Sequence, residues 1–170
     1  MRMPSFLALG LVLATAVGCD AGDANPRTAG GGSVDMAKSL HRGELAAVAS
    51  YADAIQKNDT PAWSSTFDRI HREHQSASDD LRARVVALNG TPDASAGAWG
   101  GWSELVAKGA AALGDGAARD ALRLGEQHGV SEYEEALKSA KVDEPTKALI
   151  RATLLPRAQE HVRALEALKK

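Results

Sequence analysis

Four long segments of this chain repeat their apolar residues every three or four positions, which is the spacing of one face of an α-helix. The predicted helices cover about residues 35–57, 61–88, 115–140 and 145–170. Short turns separate the first helix from the second and the third from the fourth, and each turn predicts an antiparallel hairpin. The pattern therefore predicts an all-α fold, a four-helix bundle that forms one domain over residues 35–170.

The long connection between the second and third helices decides the topology of the bundle. Two hairpins joined by one long crossover form the ferritin-like arrangement, as opposed to a simple up-down bundle. From Ser103 onward the connection predicts a short helix, and Trp99 and Trp102 are expected to cover the end of the core, with a ligand site as the alternative. Pro156 lies inside the fourth helix and predicts a kink about one turn before it.

Composition agrees with helices and argues against several functions. The predicted domain is rich in Ala, Leu, Glu, Lys and Arg and poor in aromatic and β-branched residues. Without the first 18 residues the chain has 19 basic and 22 acidic residues, so nucleic acid is not expected as a partner. The sequence has no glycine-rich phosphate loop after a strand and no Gly-x-Ser-x-Gly motif, which argues against those enzyme classes.

Residues 1–18 predict a secretory signal peptide, because the uncharged apolar run after Arg2 is too short to span a membrane. The run ends in AVGC, residues 16–19, which resembles the lipobox of bacterial lipoproteins. In those proteins the cysteine carries the lipid, and Cys19 is the only cysteine of this chain; an ordinary signal peptide with a coincidental cysteine is the alternative. Residues 19–34 predict a flexible tether. The resemblance implies a domain held at the membrane by an N-terminal lipid anchor in the bacterial cell envelope, facing the periplasm or the outside.

An ionisable side chain interrupts the apolar face of every predicted helix. The four interruptions are Glu44, His74, Glu126 and His161, and His71 lies one turn before His74. Each lies near the midpoint of its helix, so an antiparallel bundle should bring all four to a similar height. A carboxylate or an imidazole in a core is costly unless it is paired or bound to a metal.

Two interpretations of these four residues stay open. Two imidazoles and two carboxylates suit iron, manganese or zinc, and His71 is a candidate further ligand. The same four side chains can instead form a buried ion-pair network without metal. Tyr51 and Tyr133 lie one or two turns away and are expected either to donate hydrogen bonds to the site or to be ordinary core tyrosines.

Part of the sequence resembles a known bacterial family. The run GEQHGVSEYEEAL (residues 125–137), the NGTP after the second helix and the Trp-rich crossover resemble the domain of unknown function 2383, a family of ferritin-like four-helix bundles. The resemblance covers about residues 38–168 and implies the same ferritin-like fold. Ferritin-like bundles often dimerise along their first two helices, so the resemblance also implies a homodimer.

The wider ferritin-like superfamily implies ligands residue by residue. Its di-iron members carry one Glu on each of two helices and Glu-x-x-His on the other two. Glu44 and Glu126 match the single glutamates, and His74 and His161 match the histidines. His71 and Ala158 stand where the other two glutamates are expected, so both bridging carboxylates are missing. The resemblance therefore implies a single metal ion bound by Glu44, His74, Glu126 and His161, with His71 as a further candidate.

Two functions from different classes follow. One is an envelope-tethered metal-binding bundle with a buffering role or weak redox activity. The other is a metal-free helical module that binds a protein partner, which the sequence does not identify, through an apolar face or through Trp99 and Trp102. Because the bridging carboxylates are missing, the sequence assigns no enzymatic activity. A third hypothesis, a bundle that holds an apolar ligand, rests only on the alanine-rich core. Metal content separates the first hypothesis from the other two.

Overall fold

A computed structural model describes residues 26–97 and 115–168. The helical segments in that part of the chain are α1 (Pro26–Lys57), α2 (Pro61–Ala87), α3 (Asp115–Lys138), α4 (Glu144–Leu149), a π-helical segment (Ile150–Leu154) and α5 (Leu155–Ala167). The last three follow one another without a break, so they form one long C-terminal helix. The described residues contain no strand, and the prediction of an all-α four-helix bundle is confirmed. No helix among them is both long and apolar enough to cross a membrane.

The helices pair as two antiparallel hairpins, as predicted. α1 packs along α2, and α3 packs along α5. Two clusters of buried apolar side chains fill the core. The first cluster includes Leu40, Ala77, Leu81, Tyr133 and Leu154, and the second includes Tyr51, Phe67, Ile70, Leu122 and Leu165. The start of α1 therefore packs against the end of α2, and burial of these apolar surfaces is the main force that holds the bundle together.

α2 ends and α3 begins at opposite ends of the bundle. Near the end of α2, an Arg84 guanidinium nitrogen lies 2.6 Å from a carboxylate oxygen of Asp143, the residue that caps α4. At the other end, the guanidinium carbon of Arg119 in α3 lies 5.6 Å from the ring centre of Trp63, and Arg119 donates a hydrogen bond to the carbonyl of Leu168. This placement agrees with the long connection predicted between the two hairpins. The predicted short helix at Ser103 and the two crossover tryptophans lie outside the described residues.

α1 begins earlier than the sequence predicted. The helix starts at Pro26 and not near Asp35, so the prediction of a flexible tether was wrong for residues 26–34. The last part of this added segment contacts the far hairpin. The Ser33 hydroxyl donates to the carbonyl of Lys141 at 2.7 Å and accepts from the N–H of Asp143 at 2.9 Å. The predicted signal peptide, Cys19 and the rest of the tether lie outside the described residues.

The helix irregularity predicted from Pro156 takes the form of a π-helical turn. Proline has no N–H, and its ring crowds the carbonyl four residues earlier. Residues Ile150–Leu154 widen the helix just before the proline, and the N–H of Leu155 donates to the carbonyl of Ile150, five residues back. Single π-helical turns of this kind are frequent next to functional sites. Here the turn lies directly before the segment of α5 that carries His161.

Gly90, which follows α2, provides a test of the contact between α1 and the end of α2. Asn89 adopts a left-handed backbone (φ 59°), and Gly90 donates its N–H to the carbonyl of Val85 at 2.8 Å. A Cβ added at Gly90 would lie 2.7 Å from Val34 Cγ1 and 3.0 Å from Val85 Cγ1. We therefore expect Gly90→Ala to lower the free energy of unfolding by about 1–3 kcal/mol in denaturant titrations.

The matched control is Gly31→Ala in α1, where an added Cβ meets nothing within 4 Å. That substitution should leave stability unchanged or raise it slightly, because alanine favours helix more than glycine does. Equal stability of the two variants would show that Val34 does not pack over the end of α2.

Candidate metal centre

The structure brings together the four ionisable side chains that interrupt the apolar faces. They come from α1, α2, α3 and α5, and their exposed fractions are 7% for Glu44, 6% for His74, 5% for Glu126 and 2% for His161. They lie between the two apolar clusters, since each is flanked along its helix by core residues of both. Four helices thus contribute one polar layer to an otherwise apolar core.

Glu126 is the centre of this layer. One of its oxygens, Oε1, lies 2.8 Å from Nε2 of His74, and the other, Oε2, lies 3.1 Å from Nδ1 of His161. The second nitrogen of His74, Nδ1, lies 2.8 Å from Oε2 of Glu44. Acids and imidazoles therefore alternate along one continuous chain of hydrogen bonds across the bundle. The two imidazole rings also lie edge to face, with their centres 4.9 Å apart.

Sequence reasoning missed one member of this chain, Glu73. Its Oε2 lies 2.7 Å from Nε2 of His161, and Arg69 donates to both of its carboxylate oxygens at 3.2 Å. Glu73 precedes His74 directly, so its side chain points about 100° away from the apolar face of α2, toward α5. The available signal was the adjacent pair Glu73–His74, since neighbouring residues of a helix can reach two different partner helices.

Two tyrosines complete the hydrogen bonding of the buried carboxylates. The Tyr51 hydroxyl donates to Oε1 of Glu126 at 2.7 Å, and the Tyr133 hydroxyl donates to Oε1 of Glu44. Burial, followed by the charge of the neighbouring carboxylate, raises the pKa of both tyrosines well above the usual value. Both hydroxyls therefore stay protonated and act as donors. Of the two roles expected for these tyrosines, the structure shows hydrogen bonding to the site.

His71 does not join the layer. Its side chain is half-buried one turn before His74. Within residues 26–97 and 115–168, the group whose ligand atoms converge consists of His74, Glu126 and His161, and His71 is not part of it. His71 therefore lies apart from the ligand atoms that converge in this layer.

The carboxylates set the charge of His74. Burial by itself would lower the pKa of this imidazole, but the charges of Glu126 and Glu44 and their hydrogen bonds outweigh it and raise the pKa to about 10. In the same way, burial works to raise the pKa of Glu126, but His74 and His161 hold it far below the usual value. Glu73 also has a lowered pKa, since hydrogen bonds from His161 and Arg69 outweigh its burial. Without a metal, His74 is therefore a buried cation between two anions at neutral pH.

The donor set fits a single metal ion with three protein ligands. His74, Glu126 and His161 each offer one ligand atom, and these atoms lie within 4.8 Å of one another. Bonds of about 2.0–2.2 Å place two ligand atoms of one ion at most about 4.4 Å apart, so a pair at the 4.8 Å limit would have to approach by a few tenths of an ångström. The remaining ring nitrogens already face the carboxylates of Glu44 and Glu73. Carboxylates in that position orient histidine ligands in many metal sites.

This geometry changes the role predicted for Glu44. The sequence placed Glu44 among the ligands, but its carboxylate contacts Nδ1 of His74, on the ring edge that faces away from Glu126. Glu44 thus holds the orientation of His74, and Glu73 holds His161 in the same way. A di-iron centre with four carboxylates and two imidazoles is not formed by this layer, which brings together three carboxylates.

The fold and the site define a helical bundle with a buried Glu/His centre. Comparison with known families places it more closely: residues 33–139 match the domain of unknown function 2383 (DUF2383), and the chain belongs to this family. The matched range contains Glu44, Glu73, His74 and Glu126 and ends before the C-terminal helix that carries His161. No curated protein and no solved structure matches the chain.

Proposed function

We propose that this bundle binds one transition metal ion, iron, manganese or zinc, through Nε2 of His74, Nδ1 of His161 and the carboxylate of Glu126. The observation that carries the proposal is the convergence of one ligand atom from each of these residues in a buried layer, where Nε2 of His74 and Nδ1 of His161 both face the Glu126 carboxylate. Two imidazoles and one carboxylate are a donor set that suits these metals. The relation to the ferritin-like superfamily, which the order of the helices supports, belongs to the same proposal.

In this proposal the residues around the three ligands hold them in the orientation that binds the ion. Glu44 and Glu73 accept hydrogen bonds from the second nitrogens of the two imidazoles, which fixes the ring orientations. The Tyr51 hydroxyl holds the carboxylate of Glu126 in place. A bound ion would supply Lewis acidity and, for iron or manganese, a redox couple. The proposed role is therefore metal binding in the cell envelope, for buffering or for weak redox activity.

A metal-free network is the second candidate, and one observation favours it. Both nitrogens of His74 and both nitrogens of His161 already face carboxylate oxygens at 2.7–3.1 Å. The layer is thus fully hydrogen-bonded without an ion, and it can specify how the four helices pair. In that case the bundle would act as an interaction or structural module.

Metal analysis of the purified protein decides between the two candidates. We expect wild-type protein to take up about one ion per chain from iron, manganese or zinc, and bound metal should raise the melting temperature by mass action. Glu44→Gln should keep this stoichiometry but bind about 10–100-fold more weakly, because it loses only an orienting carboxylate. His71→Ala should bind like wild type. Wild-type protein that stays empty in the presence of all three metals would leave the network as the function of the layer.

We also propose that Cys19 carries a lipid that anchors the bundle to the membrane of a bacterial cell envelope. The support is the sequence AVGC after a short apolar run, with no other cysteine in the chain. Cys19→Ala should leave the signal peptide uncleaved or release the protein from membranes in fractionation experiments, whereas Ser33→Ala should remain anchored. A Cys19→Ala protein that is processed and stays with membranes like wild type would contradict the proposal.

A further inference from the structure

A cavity of about 80 Å³ lies between α1 and α3, on one side of the polar layer. Its sides are built from small residues of the two helices, including Gly43, Ala47, Gly125 and Gly129. Glu44 and Glu126 also line it, and the rest of its wall is largely apolar. The cavity therefore gives access to the buried centre from the cleft between α1 and α3.

Two of the glycines are not required by packing. A Cβ added at Gly43 or at Gly129 would meet nothing within 4 Å. Both lie in the interior of long helices, where alanine is more favourable than glycine. Helices that pack closely need glycine where a Cβ would collide with the neighbouring helix. At Gly43 and Gly129 a Cβ would instead point into open space. The two glycines thus keep the cavity open at a cost in helix stability.

The chemistry of the wall restricts what the cavity can hold. Anions are disfavoured by the carboxylates of Glu44 and Glu126, whose oxygens are already bonded to Tyr133, Tyr51 and His74. Cations lose hydration at the apolar sides, whereas the carboxylate oxygens of Glu44, which accept one hydrogen bond each, keep lone pairs for a hydrogen bond from a neutral ligand. A cavity of about 150 Å³ is known to accept benzene, with six heavy atoms. By that comparison, 80 Å³ suits about three or four heavy atoms.

We propose that this cavity is a binding site for a small uncharged molecule of about three or four heavy atoms with one hydrogen-bonding group. Bound there, the molecule lies next to Glu126 and His74, both of which line the cavity. The site adjoins the proposed metal ligands, but binding to the cavity does not need the metal. The inference therefore goes beyond the proposed function and can be tested in metal-free protein.

The test is a titration of metal-free, ¹⁵N-labelled protein with 1-propanol, followed by ¹H–¹⁵N NMR. We expect saturable shifts of the Gly43 and Gly129 amide signals with a Kd of about 0.1–10 mM, which is in the range open to a ligand of four heavy atoms. Propionate, an anion of similar size, should cause no saturable shift at these signals. Absence of saturable shifts with 1-propanol, or equal binding of propionate, would overturn the proposal.

Variants that fill the cavity provide the specific control. Gly129→Leu should weaken 1-propanol binding at least tenfold, and Gly43→Ala, which adds a single carbon into open space, should weaken it by a smaller factor. Gly31→Ala, in the first part of α1 and away from the cavity, should bind like wild type. If both filling variants bind 1-propanol as wild type does, the ligand lies elsewhere and the proposal is wrong, whatever the metal content of the protein.

Discussion

Replacing His74 by alanine is expected to abolish metal uptake and to destabilise the metal-free bundle by about 3–5 kcal/mol. His74 lies between two buried carboxylates, at 2.8 Å from Glu44 and 2.8 Å from Glu126. Removing it leaves both carboxylates in the core without their cation, which is the costly way to break a buried pair. The melting temperature should fall on the order of 10 °C or more, measured by circular dichroism. Metal content should be measured well below this temperature, where the variant is folded.

The control for this substitution is His128→Ala. His128 lies on α3 with its side chain 48% exposed, and a carboxylate oxygen of Glu132 lies 3.9 Å away on the same helix. An exposed substitution of this kind should change stability by no more than about 0.5 kcal/mol and leave metal uptake intact. If His74→Ala costs no more stability than His128→Ala, the hydrogen-bonded layer is not formed in solution.

A double-mutant cycle separates the pair from its surroundings. His74→Ala and Glu126→Ala should each be destabilising, but the double variant should cost less than the sum of the two. The reason is that each single deletion leaves the other residue as an unpaired buried charge, and the second deletion removes that charge. Additive costs would show that His74 and Glu126 do not interact, whether or not the protein binds metal.

Helical periodicity was enough to predict most of the bundle and the four residues that meet in its core. Glu44, His74, Glu126 and His161 each interrupt a continuous apolar face, and such a face must be buried wherever the helix packs. The short turns fixed which helices are neighbours, so the height of each interruption followed from its distance to the turn. For this reason the sequence located the polar layer correctly without showing which atoms touch.

The parts that the sequence did not predict depend on contacts between helices. Glu73 lies beside the apolar face of α2, and only the position of α5 makes its carboxylate a partner of His161. His71 carries the right chemistry one turn away, but it is not part of the group whose ligand atoms converge. Near the start of α1, Ser33 contacts a turn more than 100 residues later in the chain. Periodicity within one helix contains no information about such distant partners.

The charge of His74 links metal binding to pH. A metal ligand must be a neutral imidazole, but the neighbouring carboxylates raise the pKa of His74 to about 10, so the metal-free site holds a proton there at neutral pH. An ion that enters must displace this proton. We therefore expect metal affinity to rise about tenfold per pH unit at pH values below the pKa of His74. Isothermal titration calorimetry in buffers of different ionisation enthalpy should then show one proton released per bound ion.

The same proton makes the stability of the metal-free protein depend on pH. The pKa of His74 is about 10 in the fold and near 6.5 in the unfolded chain, so the folded state binds the proton more tightly. Its contribution to stability is fully present below pH 6.5 and is lost as the pH rises toward 10. Between pH 6.5 and 9 the free energy of unfolding should fall by about 1 kcal/mol per pH unit in denaturant titrations. Tyr51 and Tyr133 do not contribute in this window, because their pKa values lie well above 10.

Glu44→Gln is the matched variant for this pH dependence. It keeps the size of the side chain but removes one of the two charges that raise the pKa of His74. The loss of stability should therefore begin near the same pH and end at a lower one, which makes the total change smaller than in wild type. Metal-loaded wild-type protein should show no such decline, since its His74 has already released the proton. A metal-free protein whose stability is constant from pH 6.5 to 9 would mean that His74 is neutral in the fold and that its two carboxylate partners do not hold a proton there.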